Sequence, residues 1–394
     1  MNKRSVRDVD VAGKRVLVRV DFNVPLDAEG RVADNTRLRE ALPTIRYLLE
    51  RGAKVILMSH LGRPRGRVDE RLRLAPVGIE LSHLLGMPVA YVRDCVGPAV
   101  EQAVATLEPG QILLLENLRF HPEEEANDPE FARQLARLGD LYVNDAFGTA
   151  HRAHASTEGI THYLPAVAGL LMERELETFA RLLERPERPF AAIIGGAKVS
   201  TKIGVLEHLL DRVDRLLIGG GMANTFLLAQ GKQVGRSLVE PDKVDVARRL
   251  LDRAREKQVA VHLPVDVVVV DRLEGEAPRR LVAVDAIPAD LMVADIGPAT
   301  LEQFAAALRD ARTILWNGPM GVFEVPPFAE GTRKLAAIVA QTDAVKVIGG
   351  GDTVAAVEQA GVADRMTHIS TGGGATLELL EGRTLPGVAA LQDR

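Results

Sequence analysis

The chain has 394 residues, more than one hydrophobic core usually supports, so two domains are expected. Its 46% apolar and 26% charged residues are those of an ordinary soluble globular protein, and a net charge of −5 argues against general nucleic-acid affinity, which needs a basic surface. The single cysteine, Cys95, excludes an internal disulfide and suits a reducing cytoplasm; it reads as a small buried or surface residue rather than a nucleophile. The first residues lack the apolar core of a signal peptide. The richest apolar run, Val259 to Val270, is broken by His262, Pro264 and Asp266, so no membrane span is expected.

From the start, short β-branched runs lead into polar or glycine-rich loops and then into helix-period segments. Arg15 to Val20 feeds DFNVPL, and Lys54 to Met58 feeds SHLGRPRGR. Ile112 to Leu115 feeds ENLRF, and Leu141 to Val143 feeds NDAFGTAHRAHAS. Asn35 to Arg51 is a helical candidate, with Asn35 and Thr36 as cap residues. Strands alternating with helices mean βαβ units and a parallel sheet, whose loops at the carboxyl ends bind ligands. Those loops carry Arg37, His60, Arg63, Arg119, His151 and Arg152. Any one of these arginines alone reads as a solvated charge; several in one domain read as a cleft that grips carboxylate or phosphate. His151 and His154 lack the further His/Cys cluster a metal pair would need. The acidic stretch Glu123 to Glu125 reads as a solvated turn, before a helix that Asp128 and Pro129 start. Ala166 to Leu183 has helix periodicity and runs into ERPERP, Glu184 to Pro189, a domain boundary.

Beyond the boundary the rhythm resumes with different loops. Ala191 to Ile194 reads as a buried strand, and Gly195 and Gly196 permit a tight turn. A helix is expected next, with Lys198 and Lys202 four apart on one face, beside an N-terminus suited to an anion. The alternative is a glycine-turned junction with two solvated lysines. Leu216 to Ile218 feeds GGGMANTF, Thr313 to Leu315 feeds WNGPMGVFE, Val345 to Ile348 feeds GGGDTVAAV, and Ile369 feeds STGGGATLELL. Neither a Walker GxxxxGK[ST] nor a complete GxGxxG occurs, which excludes an ordinary P-loop and weakens a dinucleotide reading. Repeated glycine loops with Lys198, Lys202 and Asp352 favour phosphate, although such loops also serve close helix–sheet packing. Asp352 reads as a helix N-cap or as a Mg²⁺ contact. Asn317 and Glu324 flank a Gly-Pro turn, with Glu324 able to accept from ribose hydroxyls, and Trp316 reads as core. Phosphoryl transfer between an anionic substrate and a nucleotide fits this division.

The stretches VRVDFNVPL, SHLGRPRG, ENLRF, DAFGTAHRAHAS, PAVAGLLMERELE, GGAKVSTKI, GGGMANTF, WNGPMGVFE, GGGDT and STGGGA, in that order, make the chain resemble the phosphoglycerate kinase family from end to end. The resemblance implies an α/β fold of two doubly wound parallel-sheet, Rossmann-like domains joined by a helix and hinge. It implies an N-terminal 3-phosphoglycerate domain, residues 1–170 plus 382–394, an interdomain helix and linker, 171–189, and a nucleotide domain, 190–381. It implies reversible phosphoryl transfer from 1,3-bisphosphoglycerate to Mg-ADP, giving 3-phosphoglycerate and ATP. Carried over residue by residue, Asp21, Phe22, Asn23, Arg37, His60, Leu61, Gly62, Arg63, Arg119 and Arg152 resemble the 3-phosphoglycerate site. Lys202, Gly220, Gly297, Asn317, Glu324, Gly350, Gly351, Asp352 and Thr353 resemble the nucleotide site, with Asp352 toward Mg²⁺. Arg37, Lys198, Lys202, Gly373 and Gly374 resemble the groups that meet the transferring phosphoryl. Thr201 stands where members often carry aspartate and Arg174 where lysine is common, which puts local electrostatics in doubt. A cytoplasmic monomer with hinge bending, no nucleic acid and no membrane is the resulting expectation. The rival readings are a nucleotide-dependent oxidoreductase, against which the missing GxGxxG speaks, and a non-catalytic nucleotide-binding protein, which would have lost Arg37, Lys198, Lys202 or Asp352.

Overall fold

The computed structural model describes residues 1–394, which divide into two compact units. One comprises Met1–Glu177 with Thr384–Arg394, the other Thr178–Arg383. In the first, six strands form one parallel sheet: β1 (Arg15–Arg19), β2 (Lys54–Met58), β3 (Ala90–Tyr91), β4 (Ile112–Leu114), β5 (Leu141–Asn144) and β6 (Ala166–Ala168). Their order is β3-β4-β2-β1-β5-β6, so the winding reverses between β1 and β5. That reversal opens a crevice at the carboxyl ends. Continuous apolar runs such as Val16, Leu17 and Val18 are buried, as a sheet covered on both faces requires. The helix Thr36–Glu50 lays Leu38, Ala41, Leu42, Ile45 and Leu48 on the core, one stripe at helical spacing. The C-terminal residues belong to this unit: Arg4 N donates to Gln392 O, and Gly387 N to Ala150 O.

The second unit holds another parallel sheet, of β7 (Phe190–Ile194), β8 (Arg215–Ile218), β9 (Ala260–His262), β13 (Thr313–Asn317), β14 (Val345–Gly349) and β15 (His368–Ile369). The order β15-β14-β13-β7-β8-β9 reverses between β7 and β13. A small antiparallel sheet accompanies it, built from β10 (Asp266–Val270), β11 (Arg280–Ala283) and β12 (Met292–Ile296). The sequence pattern does not announce this sheet, because the break in Val259–Val270 at His262, Pro264 and Asp266 does not show that the two halves belong to different sheets. Leu263 to Val265 separates the halves, which join different sheets. Trp316 is fully buried in the core of this unit.

Several local expectations are overturned. The helix expected from Ala166 begins only at Leu170, because Ala166–Ala168 pairs with Tyr142–Asn144 as β6. Gly169 makes the break: a Cβ there would lie 2.1 Å from Asp145 Oδ1. Asn35 sits at the N-cap of Thr36–Glu50 without capping; its Nδ2 donates to Glu80 instead, and Asp34 Oδ1 accepts from Thr36 N and Oγ1. Glu123–Glu125 is a short helix, Pro122–Glu125, and Glu124 is buried. Asp128 does cap the next helix, accepting from Phe131 N.

Candidate active site

In the first unit the candidate residues leave the carboxyl ends of β1, β2, β4 and β5. After β1, Asp21 holds Arg37 in an ion pair at 2.5 Å, and Phe22 is buried beneath them. Asn23 Oδ1 accepts from Gly62 N at 2.9 Å, which ties the β1 loop to the β2 loop. Leu61 N donates to Asn117 Oδ1. Arg119, mostly buried, donates to Gly62 O and lies 3.3 Å from Glu125. Burial first, then the charge of Arg19, holds its pKa below the usual guanidinium value. Arg63 and Arg152 are exposed. The loops thus bring Asp21, Asn23, Arg37, Gly62 and Arg119 into one contiguous network.

Beneath it lies a group that the sequence reading passed over. Arg19, inside β1, is fully buried; its Nε donates to Ser156 Oγ at 2.8 Å and its Nη1 to Val20 O. Glu124, 4.0 Å away and equally buried, accepts from Ser156 N and Oγ. Arg19 Nη2 faces His60 Nδ1 at 3.0 Å. An arginine only donates, so Nδ1 accepts and the proton of the neutral ring sits on Nε2. Burial and the nearby Arg19 charge hold the His60 pKa well below its usual value, so the ring stays neutral. A charged residue in the otherwise apolar run Val16 to Val20 was the available signal.

In the second unit, Ile194, Asn317 and Gly349 stand side by side at the carboxyl ends of β7, β13 and β14. The β7 loop returns so close to the β13 loop that a Cβ on Gly195 would meet Pro319 O at 2.1 Å. Lys198 and Lys202 do not share a helical face. Lys198 has extended backbone and is exposed, a short 3₁₀ turn (Val199–Thr201) intervenes, and Lys202 precedes the helix Ile203–Leu210. The glycine turn leaves too few residues to nucleate α-helix before Val199. Lys202 is buried, and its Nζ donates to Asn317 Oδ1 at 2.5 Å. Burial pushes its pKa down to about 8. Asn317 Nδ2 is buried with no partner. It faces Gly350: a Cβ on that glycine would lie 3.4 Å from it.

Gly350, at φ +91°, precedes the helix Gly351–Gln359. Asp352 lies exposed in the first turn and is not the N-cap, a position Gly350 takes. Thr353 is buried, and its Oγ1 accepts from Gly318 N at 2.8 Å. Gly373 and Gly374 are exposed where the helix Gly374–Leu380 begins, and Gly372 N donates to Ser370 Oγ. Gly220 donates to Met320 O and packs against Gly196. Gly297 stands apart from this row, at the end of β12, with its amide on Asp266 O and no room for a Cβ beside the Asp266 carboxylate. Glu324 is exposed in the loop after β13. Taken together, the second unit offers a buried ammonium, a buried orphan amide and glycine-lined helix starts, a set that matches phosphate oxygens.

A family model for phosphoglycerate kinase matches residues 6–383. The chain is 62% identical over 398 residues to the phosphoglycerate kinase of Chloroflexus aggregans, and 62% identical over 394 residues to that of Moorella thermoacetica, covering 100% of each chain in both cases. Among solved structures, phosphoglycerate kinase from Coxiella burnetii superposes with a TM-score of 0.91 at 44% identity, over 98% of both chains. The enzyme from Pyrococcus horikoshii OT3 gives 0.85 at 35% identity, again over 98% of both.

Proposed function

The chain belongs to the phosphoglycerate kinase family, and from that premise we propose that its two clusters are the halves of one phosphoryl-transfer site. The reaction is the glycolytic, reversible transfer of the acyl phosphoryl of 1,3-bisphosphoglycerate to ADP, leaving 3-phosphoglycerate and ATP. The observation that carries the division of labour is the buried Lys202–Asn317 pair with its unpartnered Nδ2, facing the Gly350 loop. A buried donor without an acceptor in the free chain calls for one in the complex.

In the first unit, Arg63, Arg119 and Arg152 hold the charges of 3-phosphoglycerate, with His60 donating from Nε2. Asp21 and Asn23 orient its hydroxyl and carboxylate end, supported by Phe22, Leu61 and Gly62. Arg37 exchanges its ion pair with Asp21 for the carboxyl-phosphate as substrate arrives. In the second unit, Lys202, Asn317 and the Gly350–Thr353 turn hold the nucleotide phosphates, with Gly220 shaping the neighbouring loop and Gly297 and Glu324 on the nucleoside side.

Lys198 and Arg37 meet the transferring group, and the amides of Gly373 and Gly374 face its equatorial oxygens. The transition state of phosphoryl transfer is loose and spreads charge over those oxygens, so positioned cations and amides are what it requires. The exposed carboxylate of Asp352, not committed to capping, fits a Mg²⁺ ion accompanying the nucleotide, and that ion supplies charge neutralisation between phosphates. Monomeric action in the cytoplasm belongs to the same proposal; no helix is long and apolar enough to cross a membrane.

The test is ATP formation from 1,3-bisphosphoglycerate and ADP in a coupled assay, with Lys198→Ala beside the unaltered chain. Turnover of the variant should fall roughly 10³-fold or more, by analogy with other transition-state cations, and nucleotide affinity much less. A variant with near-normal kcat would return Lys198 to the solvated surface.

A further inference from the structure

Away from the proposed phosphoryl-transfer groups, the first unit brings together Asp94, Cys95 and His121, whose ligand atoms all lie within 4.8 Å of one another. Asp94 and Cys95 are neighbours in the loop after β3, and His121 ends the turn that follows β4. The backbone fixes both segments. Asp94 O accepts from Glu116 N, Asp94 Oδ1 from Cys95 N, and Leu118 O from His121 N. The His121 ring is further held against Phe131, centroids 5.2 Å apart. Its Nε2 lies 2.7 Å from Asp94 Oδ1.

We propose that Asp94, Cys95 and His121 form a binding site for a thiophilic divalent cation such as Zn²⁺, with water as the fourth ligand. A thiolate, an imidazole and a carboxylate are the donor types that Zn²⁺ takes, at about 2.0–2.3 Å each. Donors around a tetrahedral ion of that size stand ~3.3–3.8 Å apart; the Asp94 Oδ1–His121 Nε2 pair, now at 2.7 Å, opens to that spacing, and no pair has to close from beyond 4.8 Å. Thiolate and carboxylate together balance the two charges of the ion, which leaves the buried sulfur in a neutral assembly. Binding replaces the Asp94–His121 hydrogen bond with two metal bonds; Nε2 gives up its proton, so that the neutral ring carries its one proton on Nδ1, and the Cys95 thiol proton is released to solvent. The route in is open on one side. Cys95 is buried, while the side chains of Asp94 and His121 are 52% and 29% exposed. The thiolate makes the site poorly suited to Mg²⁺, which takes oxygen ligands and keeps its waters. The cation therefore staples the loop after β3 to the turn after β4, and need not take part in phosphoryl transfer.

The test is titration of the full chain with Co²⁺ under reducing, anaerobic conditions. One equivalent should give a thiolate-to-cobalt charge-transfer band with the visible bands of a tetrahedral ion, and Zn²⁺ should displace both. Cys95→Ser should abolish the charge-transfer band. Asp94→Asn and His121→Gln, on more accessible side chains, should weaken Co²⁺ binding by at least the roughly 10–100-fold that loss of a supporting contact costs. They decide the matter on their own if Cys95→Ser does not fold. Zn²⁺ should also raise the unfolding temperature of the unaltered chain, because it binds the native state. Absence of the charge-transfer band, its survival in Cys95→Ser, or unchanged affinity in both other variants would overturn the site.

Discussion

Lys198 and Lys202 carry the same charge in opposite surroundings, and the difference gives them separate work. Lys198 is exposed and unconstrained by helix, as its proposed contact with the transferring phosphoryl requires; Lys202 is fixed against Asn317. Because burial lowers the Lys202 pKa from 10.5 to about 8, the folded chain has lost this proton between those values while the unfolded chain keeps it. Lys202 therefore lowers stability most below about pH 8, and stability recovers as pH rises through that window. A nucleotide phosphate reverses the shift, so binding of ADP near pH 8 should take up a proton. Calorimetry in buffers of different ionisation enthalpy should register that uptake, and Lys202→Met should lose it; equal proton counts would contradict the assignment. Arg19 makes a second residue-scale case. Arg19→Met leaves Glu124 buried without its cation and should cost about 3–5 kcal/mol in unfolding experiments. Exposed Arg63→Ala should stay within about 0.5 kcal/mol. Equal losses would mean that Arg19 is not the buried partner of Glu124. Both lysines were legible as types in the sequence. Their environments were not, because exposure depends on how β7 and β13 lie side by side.

At the scale of elements, the helix Leu170–Glu184 depends on a carboxylate at its start. Asp145, fully enclosed at the end of β5, accepts from Leu171 N and Met172 N through Oδ1. Burial raises its pKa from 3.8 to about 7 despite those bonds. The unfolded chain is ionised between those values while the folded chain is protonated. The resulting stabilisation is complete below pH 3.8 and is lost as pH rises through about 7. Asp145→Asn keeps Oδ1 and removes the titration. Stability of the unaltered chain relative to this variant should grow as pH falls from 7 toward 4, by at most ~1.4 kcal/mol per unit. Parallel stability curves in chemical denaturation would contradict it.

The same helix shows where the sequence was misleading. Ala166–Ala168 continues its periodicity, yet sheet pairing with β5 captures those residues, a tertiary choice that local pattern does not encode. The strands β1, β2, β4, β5, β7, β8, β13 and β14 were readable because buried parallel strands are continuous apolar runs. The antiparallel sheet was not: Arg280–Ala283 is mostly exposed and has no apolar run to mark it. Glu124 escaped for a related reason. Its neighbours Glu123 and Glu125 are exposed, and only the position of Ser156 and Arg19 explains its burial.

At the scale of the whole molecule, the family assignment was legible because long motifs recur in order along the entire chain, and the family model and full-length relatives establish it. The proposed substrate groups all precede residue 178 and the proposed nucleotide groups all follow it, so they belong to different compact units. On that proposal neither unit alone completes a transfer, because reacting atoms must approach to about 3–3.5 Å. We therefore propose that catalysis needs both units and both substrates together. Small-angle X-ray scattering of the full chain tests it most directly, recorded free, with 3-phosphoglycerate, with Mg-ADP, and with both. The radius of gyration should fall further in the ternary complex than in either binary one; a value unchanged from the free chain would contradict the account.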